Sequence, residues 1–193
     1  NTGRGARGYA EVIVDPYKDP KPISGALVLN ELNLAIFKPF FPGMRVLEGN
    51  ITMAGGLGGT LSKPQFYGDV KLANGRVAML DLPVNLTKVN VDAKIRGTQA
   101  TIDGKFNSGK GAGVLTGTVD WRQQLQAKLS IKGERLVLTQ PPLLLAEINP
   151  DIDIIVRPGD RYVNIQGAIS VPSATIRPPE SSEDIITQTE DAV

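Results

Sequence analysis

Few residues in this chain have the type and spacing to do chemistry. Asp151 and Asp153 share one face of a predicted strand whose other face carries Ile152, Ile154 and Val156, a spacing that offers two carboxylates to calcium. Calcium takes about 6–8 oxygen ligands, so a solvated polar face is the preferred reading of the pair. The run Gly55-Gly56-Leu57-Gly58-Gly59 invites a phosphate-cradling reading but lacks the following Lys-Ser/Thr and a predicted helix. It reads instead as a flexible loop or bend, and Gly109-Lys110-Gly111-Ala112-Gly113 as a turn. No serine sits in a Gly-x-Ser-x-Gly elbow. The sequence holds no cysteine and no histidine. It therefore has no thiol nucleophile, disulfide or thiolate metal site, no histidine base, and none of the usual zinc ligands. Neither an enzyme, a metal nor a cofactor is expected.

The bulk numbers narrow the classes further. With 193 residues the chain can bury one good core or at most two small ones. Its 21 basic and 20 acidic residues are mixed along the length for a net charge of +1, which makes no electrostatic case for nucleic acid or an anionic membrane surface. No apolar run approaches the ~18 residues of a membrane span. No signal peptide opens the sequence, and Asn1 begins a Gly/Arg-rich stretch, so the chain reads as a piece of something longer.

What remains is the chemistry of apolar contact. A seven-residue phrase recurs five times: apolar, any, Gly, any, apolar, any, apolar. It centres on Gly25, Gly49, Gly68, Gly117 and Gly167, with weaker copies at Gly97, Gly104 and Gly133. Side chains on a strand alternate faces. The candidate apolar face therefore collects Leu27, Leu29, Leu47, Ile51, Met53, Phe66, Val70 and Leu72 in the first half of the chain. Val89, Val91, Ile95, Ile102, Phe106, Leu115, Val119, Trp121, Leu125, Leu129 and Ile131 follow, then Ile152, Ile154, Val156, Val163, Ile165, Ile169 and Val171. Glu48, Asn50, Asp69, Lys71, Thr116, Thr118, Gln166 and Ser170 fall on the other face. Glycine inside a strand marks a bend or a close approach to the backbone. The glycines Gly49, Gly68, Gly104, Gly117 and Gly167 thus suggest a sheet built to curl, or to hold something against its apolar face.

The elements that must position these residues are strands from about Tyr9–Val14 to Ile176, punctuated by Gly, Pro and Asn. The runs Val89–Gly97 and Leu125–Gly133 alternate strictly, which predicts strands dry on one face and wet on the other. Asn74-Gly75 reads as a tight turn, and Pro64, Pro83, Pro150, Pro158 and Pro172 as strand ends or edges. Leu34–Phe41 fits a short helix as well as a strand, limited by Pro39. Phe37, Phe40, Phe41 and Phe66 are expected to cluster, as a plug at one end of the sheet or as a satellite core. Residues 1–8 read as a loose stretch, 9–178 as one all-β domain, and 179–193 as a polar acidic tail. The fold expected is a single curled β-sheet with a hydrophobic concave groove. A closed β-sandwich or barrel, and a β-solenoid with a dry interior, are the alternatives.

The phrases also resemble a known family. Gly59-Thr-Leu-Ser-Lys-Pro-Gln-Phe-Tyr-Gly-Asp-Val-Lys-Leu-Ala-Asn-Gly75 resembles a signature of the TamB family, the inner-membrane subunits of the translocation and assembly module. Gly111-x-Gly-x-Leu-x-Gly117 and Ile165-x-Gly-x-Ile-x-Val-Pro-x-Ala-x-Ile176 look like that family's C-terminal region. The resemblance spans roughly residues 23–178. It implies a periplasmic segment of a protein anchored in the Gram-negative inner membrane, a "β-taco" sheet with an apolar trough, and kinship with AsmA-like, bridge-like lipid-transfer proteins. It implies phospholipid acyl chains and the outer-membrane barrel protein TamA as partners, and no catalytic residues. Two functions then compete: a conduit for phospholipid between the membranes, and a chaperone or scaffold for unfolded outer-membrane protein strands during barrel assembly and autotransporter secretion. The conduit needs an unbroken apolar track; the scaffold needs a long, unblocked strand edge.

Overall fold

A computed structural model describes residues 7–80, 83–140 and 144–176; the tail expected over 179–193 and most of the stretch 1–8 lie outside these. The described chain is almost entirely strand: β1 (Arg7–Val14), β2 (Ile23–Asn33), β3 (Met44–Thr60), β4 (Lys63–Met79), β5 (Asn85–Gly97), β6 (Gln99–Ser108), β7 (Gly111–Asp120), β8 (Gln126–Glu134), β9 (Leu136–Gln140), β10 (Leu144–Arg157) and β11 (Tyr162–Ile176). They form one antiparallel sheet in the order β1-β2-β3-β4-β5-β6-β7-β8-β10-β11, with β9 pairing β10 where β8 leaves off. Nearly every strand thus pairs with its neighbour in sequence, as short hairpin connections allow. The sheet is open and curled. Among the described residues neither a sandwich nor a solenoid is formed, since a single antiparallel sheet takes up all the described strands.

The curl has a visible cause. A β-bulge bends its strand, and extra residues interrupt the register at Asn30–Glu31 on β2, Ala73–Asn74 on β4 and Thr87–Lys88 on β5. A further one at Arg135 separates β8 from β9, and another falls near Pro172 on β11. The pairings place these bulges along one crease across the sheet. Glu31, Asn74, Lys88 and Arg135 all adopt positive φ, between 49° and 56°. Asparagine amides replace ladder bonds lost there. Asn90 Oδ1 accepts from the Asn74 N–H at 3.1 Å while its Nδ2 donates to Lys88 O at 2.8 Å, and Asn149 Oδ1 accepts from the Arg135 N–H at 2.7 Å.

Several expectations change in this light. Asn74-Gly75 is a bulge inside β4, not a hairpin turn, because the strand continues past it to Met79. Gly55–Gly59 is strand rather than loop, held between β2 and β4, and only Gly59 (φ 83°) takes the left-handed geometry at the hairpin. Pro150 lies inside β10, where β8 gives way to β9 and its missing N–H falls in the gap between the two ladders. Leu34–Phe40 is a 3-10 helix, capped by Asn33 Oδ1 accepting from the Ala35 N–H at 2.9 Å. The four phenylalanines do not cluster. Phe37, Phe40 and Phe41 stand at the Met44 end of β3, whereas Phe66 pairs with Leu57 near the other end. Phe40 is 76 % exposed, so it belongs to no core.

The β6–β7 hairpin stops at the crease, so beyond it β9 meets the entry to β5 directly. Val84 bridges Leu138, and the Thr139 N–H donates to Pro83 O at 3.0 Å. Two strands on one side of the crease and none on the other force the sheet into a dome. Val89, Phe106 and Leu136 fill it as a small buried core, with Leu72, Val77, Leu86, Val91, Leu115, Ile131 and Ile148 packed around them. Ser108, buried at this seam, donates its hydroxyl to Val137 O at 2.7 Å. Ser108→Ala would leave that carbonyl short of a partner, at a cost of about 1–3 kcal/mol. The expected result is faster hydrogen exchange at Thr139, with β3 and β4 unaffected; unchanged exchange there would deny Ser108 its anchoring role.

Candidate functional site

Strand register turns the alternating pattern into continuous apolar rows. One runs Leu29–Met53–Val70–Ala93–Ile102–Gly117–Leu129–Ile154–Ile165 from β2 to β11. Beside it, toward the hairpin ends, runs Leu27–Gly55–Gly68–Ile95–Ala100–Val119–Ala127–Val156–Val163. Nearer the crease runs Leu32–Ile51–Leu72–Val91–Gly104–Leu115–Ile131–Ile152–Gly167. No charged or polar residue interrupts any of the three. At about 4.8 Å per strand, eight steps give each row a length of roughly 38 Å.

Most of the expected residues therefore share one face. The row nearest the crease leans on the dome core through Leu72, Val91, Leu115 and Ile131, which leaves the other two rows as the freer surface. Their large side chains are half-buried on β2 to β10, and on β11 Val163 and Ile165 are more than 60 % exposed. No second layer covers them among the described residues. Other expected residues fall elsewhere. Val89 and Phe106 are core, Leu47 is buried opposite Val77 beyond the crease, and Phe66 sits on β4 opposite Leu57 and Gly97. Trp121 and Leu125 belong to the β7–β8 turn, and Ile169 lies exposed opposite Pro150. The sequence reading passed over Ala93, Ala100 and Ala127, which complete the rows. Weight had been given only to large side chains, although their alternation was the signal.

The glycines of the face sit close to their neighbours. A Cβ at Gly117 would meet Leu129 Cδ2 at 2.7 Å and Lys128 O at 2.6 Å; one at Gly68 would meet Gly55 Cα at 2.6 Å and Phe66 Cε1 at 2.8 Å. At Gly49 (φ 142°) it would meet Leu72 Cδ1 at 2.7 Å, and at Gly167 (φ 149°) Ile152 Cα at 2.8 Å. Gly104 is the least crowded of the five, where a Cβ would meet Leu115 Cβ and Val91 Cγ2 both at 3.3 Å, a tight contact that asks them to give by a few tenths of an ångström. Neighbouring backbone and side chains thus occupy the space at four of these glycines, and strand approach is what requires them.

The opposite face is polar and stitched by cross-strand ion pairs: Arg76–Glu48 at 3.3 Å, Lys71–Asp92 at 3.6 Å, Arg96–Asp69 at 3.7 Å and Arg135–Glu147 at 3.0 Å. Asp151 is engaged by Lys132 at 3.2 Å, which accounts for one carboxylate of the calcium reading, and no cluster of three metal-ligating residues occurs among the described residues. Hydrogen bonds from the Arg122 side chain, then from its backbone N–H and from Gln99, hold the Asp120 carboxyl far below the usual carboxylate range. Arg135 likewise lowers Glu147. With depressed native values, both pairs favour folding above the ordinary carboxylate pKa of about 4 and lose that contribution only as pH falls through the native values. No described helix is long and apolar enough to cross a membrane.

Comparisons with known proteins agree with one another. Residues 6–72 match the family model described as the N-terminal domain of TamB. A curated relative, the translocation and assembly module subunit TamB of Haemophilus influenzae, is 24% identical over 159 residues, covering 81% of this chain and 12% of that protein. The chain thus spans about 12% of the length of the curated relative it matches. The matched model, described as an N-terminal domain, covers residues 6–72 and does not reach Gly111–Gly117 or Ile165–Ile176, the phrases that look like the family's C-terminal region. No solved structure matches the chain.

Proposed function

The chain belongs to the TamB family, and on that premise we propose that it forms one stretch of a hydrophobic trough sheltering phospholipid acyl chains between the inner and outer membranes. The observation that carries this reading is the set of unbroken apolar rows, two of them uncovered, that cross the strands from β2 to β11. Their length of roughly 38 Å exceeds the ~15 Å depth of one leaflet's hydrocarbon. Burying a methylene contributes about 0.8 kcal/mol, so a chain of ~16 carbons gains on the order of 10 kcal/mol before immobilisation costs. An aliphatic face without polar contacts fixes no register, so a bound chain slides. On this reading the segment stands in the periplasm as part of a protein anchored in the inner membrane, and it serves the translocation and assembly module together with TamA.

A second reading rests on the edges. β11 is an edge strand of 15 residues without one charged side chain, where charges commonly blunt such edges. That edge suits pairing with unfolded outer-membrane protein strands during barrel assembly. Photo-crosslinkers separate the two readings. Placed at Val119 and Ile165, on the two freer rows, they are expected to capture phospholipid; at Thr118 and Gln166, one residue away on the opposite face, they are expected to stay silent. Adducts to barrel-protein strands from the inner positions, with no lipid at any of them, would sink the conduit and promote the scaffold.

A further inference from the structure

The connection between β2 and β3 exposes apolar side chains that the fold does not use. It opens with the 3-10 helix Leu34–Phe40, which leaves β2 just past the crease, and ends where β3 begins at Met44. Leu34 and Phe37 are half-buried, and the helix packs beside β3. Ile36, Phe40 and Phe41 are exposed, Phe40 at 76 %. An apolar side chain standing alone in solvent needs no explanation, but three on one short turn, two of them consecutive phenylalanines, mark a contact surface. The turn is held firmly around them. The Asn33 side chain caps its start, the Phe41 N–H donates to Lys38 O at 3.0 Å, the Met44 N–H to Phe41 O at 2.9 Å and the Leu80 N–H to Gly43 O at 3.0 Å. Pro39 and Pro42 fix two further φ angles. The rings are thus presented in a set position, which lowers the ordering cost of binding.

Charge selects the occupant. Residues 32–47 include Lys38 and Arg45 and no acid, a local excess that the net charge of +1 for the whole chain conceals. A second copy docking through the same turn would bring these cations toward their own counterparts, which costs affinity. An anionic bilayer accepts both features. Phenylalanine rings enter the boundary between headgroups and acyl chains, while lysine and arginine stay among the phosphates. We propose that the turn between β2 and β3 is a membrane-contact site, which inserts Phe40 and Phe41, with Ile36, into the surface of an anionic phospholipid bilayer. The site goes beyond the trough reading, since it gives this segment a bilayer contact whether or not lipid lies on the rows.

Sedimentation with vesicles tests it, with phosphatidylglycerol and phosphatidylethanolamine in one set and phosphatidylcholine alone in the other. The chain is expected to pellet with the anionic set. Phe40→Ser combined with Phe41→Ser is expected to lose about tenfold or more in partitioning, and Phe40→Ser alone a smaller share. Lys38→Gln combined with Arg45→Gln is expected to weaken binding to the anionic set only, by about tenfold at low salt. Thermal melts check folding, and Phe40→Ser, at the most exposed of the three side chains, is the variant least able to disturb it. Capture of a short-chain phospholipid in solution is expected to stay unchanged in every variant, which separates the turn from the trough. Equal pelleting by the serine variants and the unmodified chain, or no pelleting by any of them, would overturn the membrane contact and leave the trough reading standing. A dimer in gel filtration that the double serine variant breaks, with vesicle binding unchanged, would overturn it in favour of an interface between copies.

Discussion

Leu129→Arg is expected to abolish acyl-chain capture while leaving the sheet folded and soluble. Leu129 is the seventh of the nine residues of the central row, between Gly117 and Ile154, and is only half-buried, with no second layer above it among the described residues. An arginine there can run its methylenes along the apolar face and lift its guanidinium into water, so the fold avoids an unpaired buried charge. An acyl chain on the same row would have to pass that cation. Ile102→Arg, two strands away on the same row, is expected to act alike. Phe106→Arg supplies the contrast. Phe106 is 8 % exposed in the dome core and its ring covers Gly113, so a charge there has no route to solvent. Even Phe106→Ala is expected to cost about 3–5 kcal/mol. Gel filtration, thermal melts and co-purified lipid read out all four variants. Insoluble Leu129→Arg and Ile102→Arg proteins would mean that the central row is a closed core, and the trough would be wrong.

The difference between rows and dome shows what the sequence could and could not convey. The rows were legible because period-two alternation is local, and Val89–Gly97 or Leu125–Gly133 state it without ambiguity. The crease was legible too, as a change of parity within strands. Apolar positions on β4 run through Phe66, Gly68, Val70 and Leu72, then change parity at Gly75, Val77 and Met79. On β2 the parity changes between Leu29 and Leu32, on β5 between Leu86 and Val89, and from β8 to β9 between Ile131 and Leu136. A strand that keeps its apolar residues on one face while changing parity must contain an extra residue, and the extra residues fall at the bulges. Asn74-Gly75 was read as a turn because the dipeptide signal carries no information on whether a partner strand continues past it. The Val84–Leu138 bridge left no local trace, since it joins segments far apart in sequence and follows only from the β6–β7 hairpin ending at the crease.

Gly117→Ala is expected to destabilise the chain, and Gly104→Ala to leave it unchanged or slightly more stable, although both glycines belong to the same apolar face on adjacent strands. At Gly117 the added methyl collides with Lys128 O at 2.6 Å, an atom of the neighbouring backbone that cannot move without breaking the ladder. Overpacking of this kind costs about 1–3 kcal/mol. In a chain of this size each kcal/mol lowers Tm by roughly 2–4 °C. Gly68→Ala is expected to behave likewise, meeting Gly55 Cα at 2.6 Å, and leucine at either position more severely still. At Gly104 the nearest atoms are side-chain carbons at 3.3 Å, and alanine restricts the unfolded chain by about 0.4–1 kcal/mol in favour of folding. Lipid capture then decides what the glycines are for. If Gly104→Ala keeps full capture while Gly117→Ala and Gly68→Ala lose stability first and capture only with it, the glycines serve the close approach of strands that makes the sheet curl. A stable Gly117→Ala protein with reduced capture would reverse that, because the space above Gly117 would then belong to the bound chain and not to Leu129.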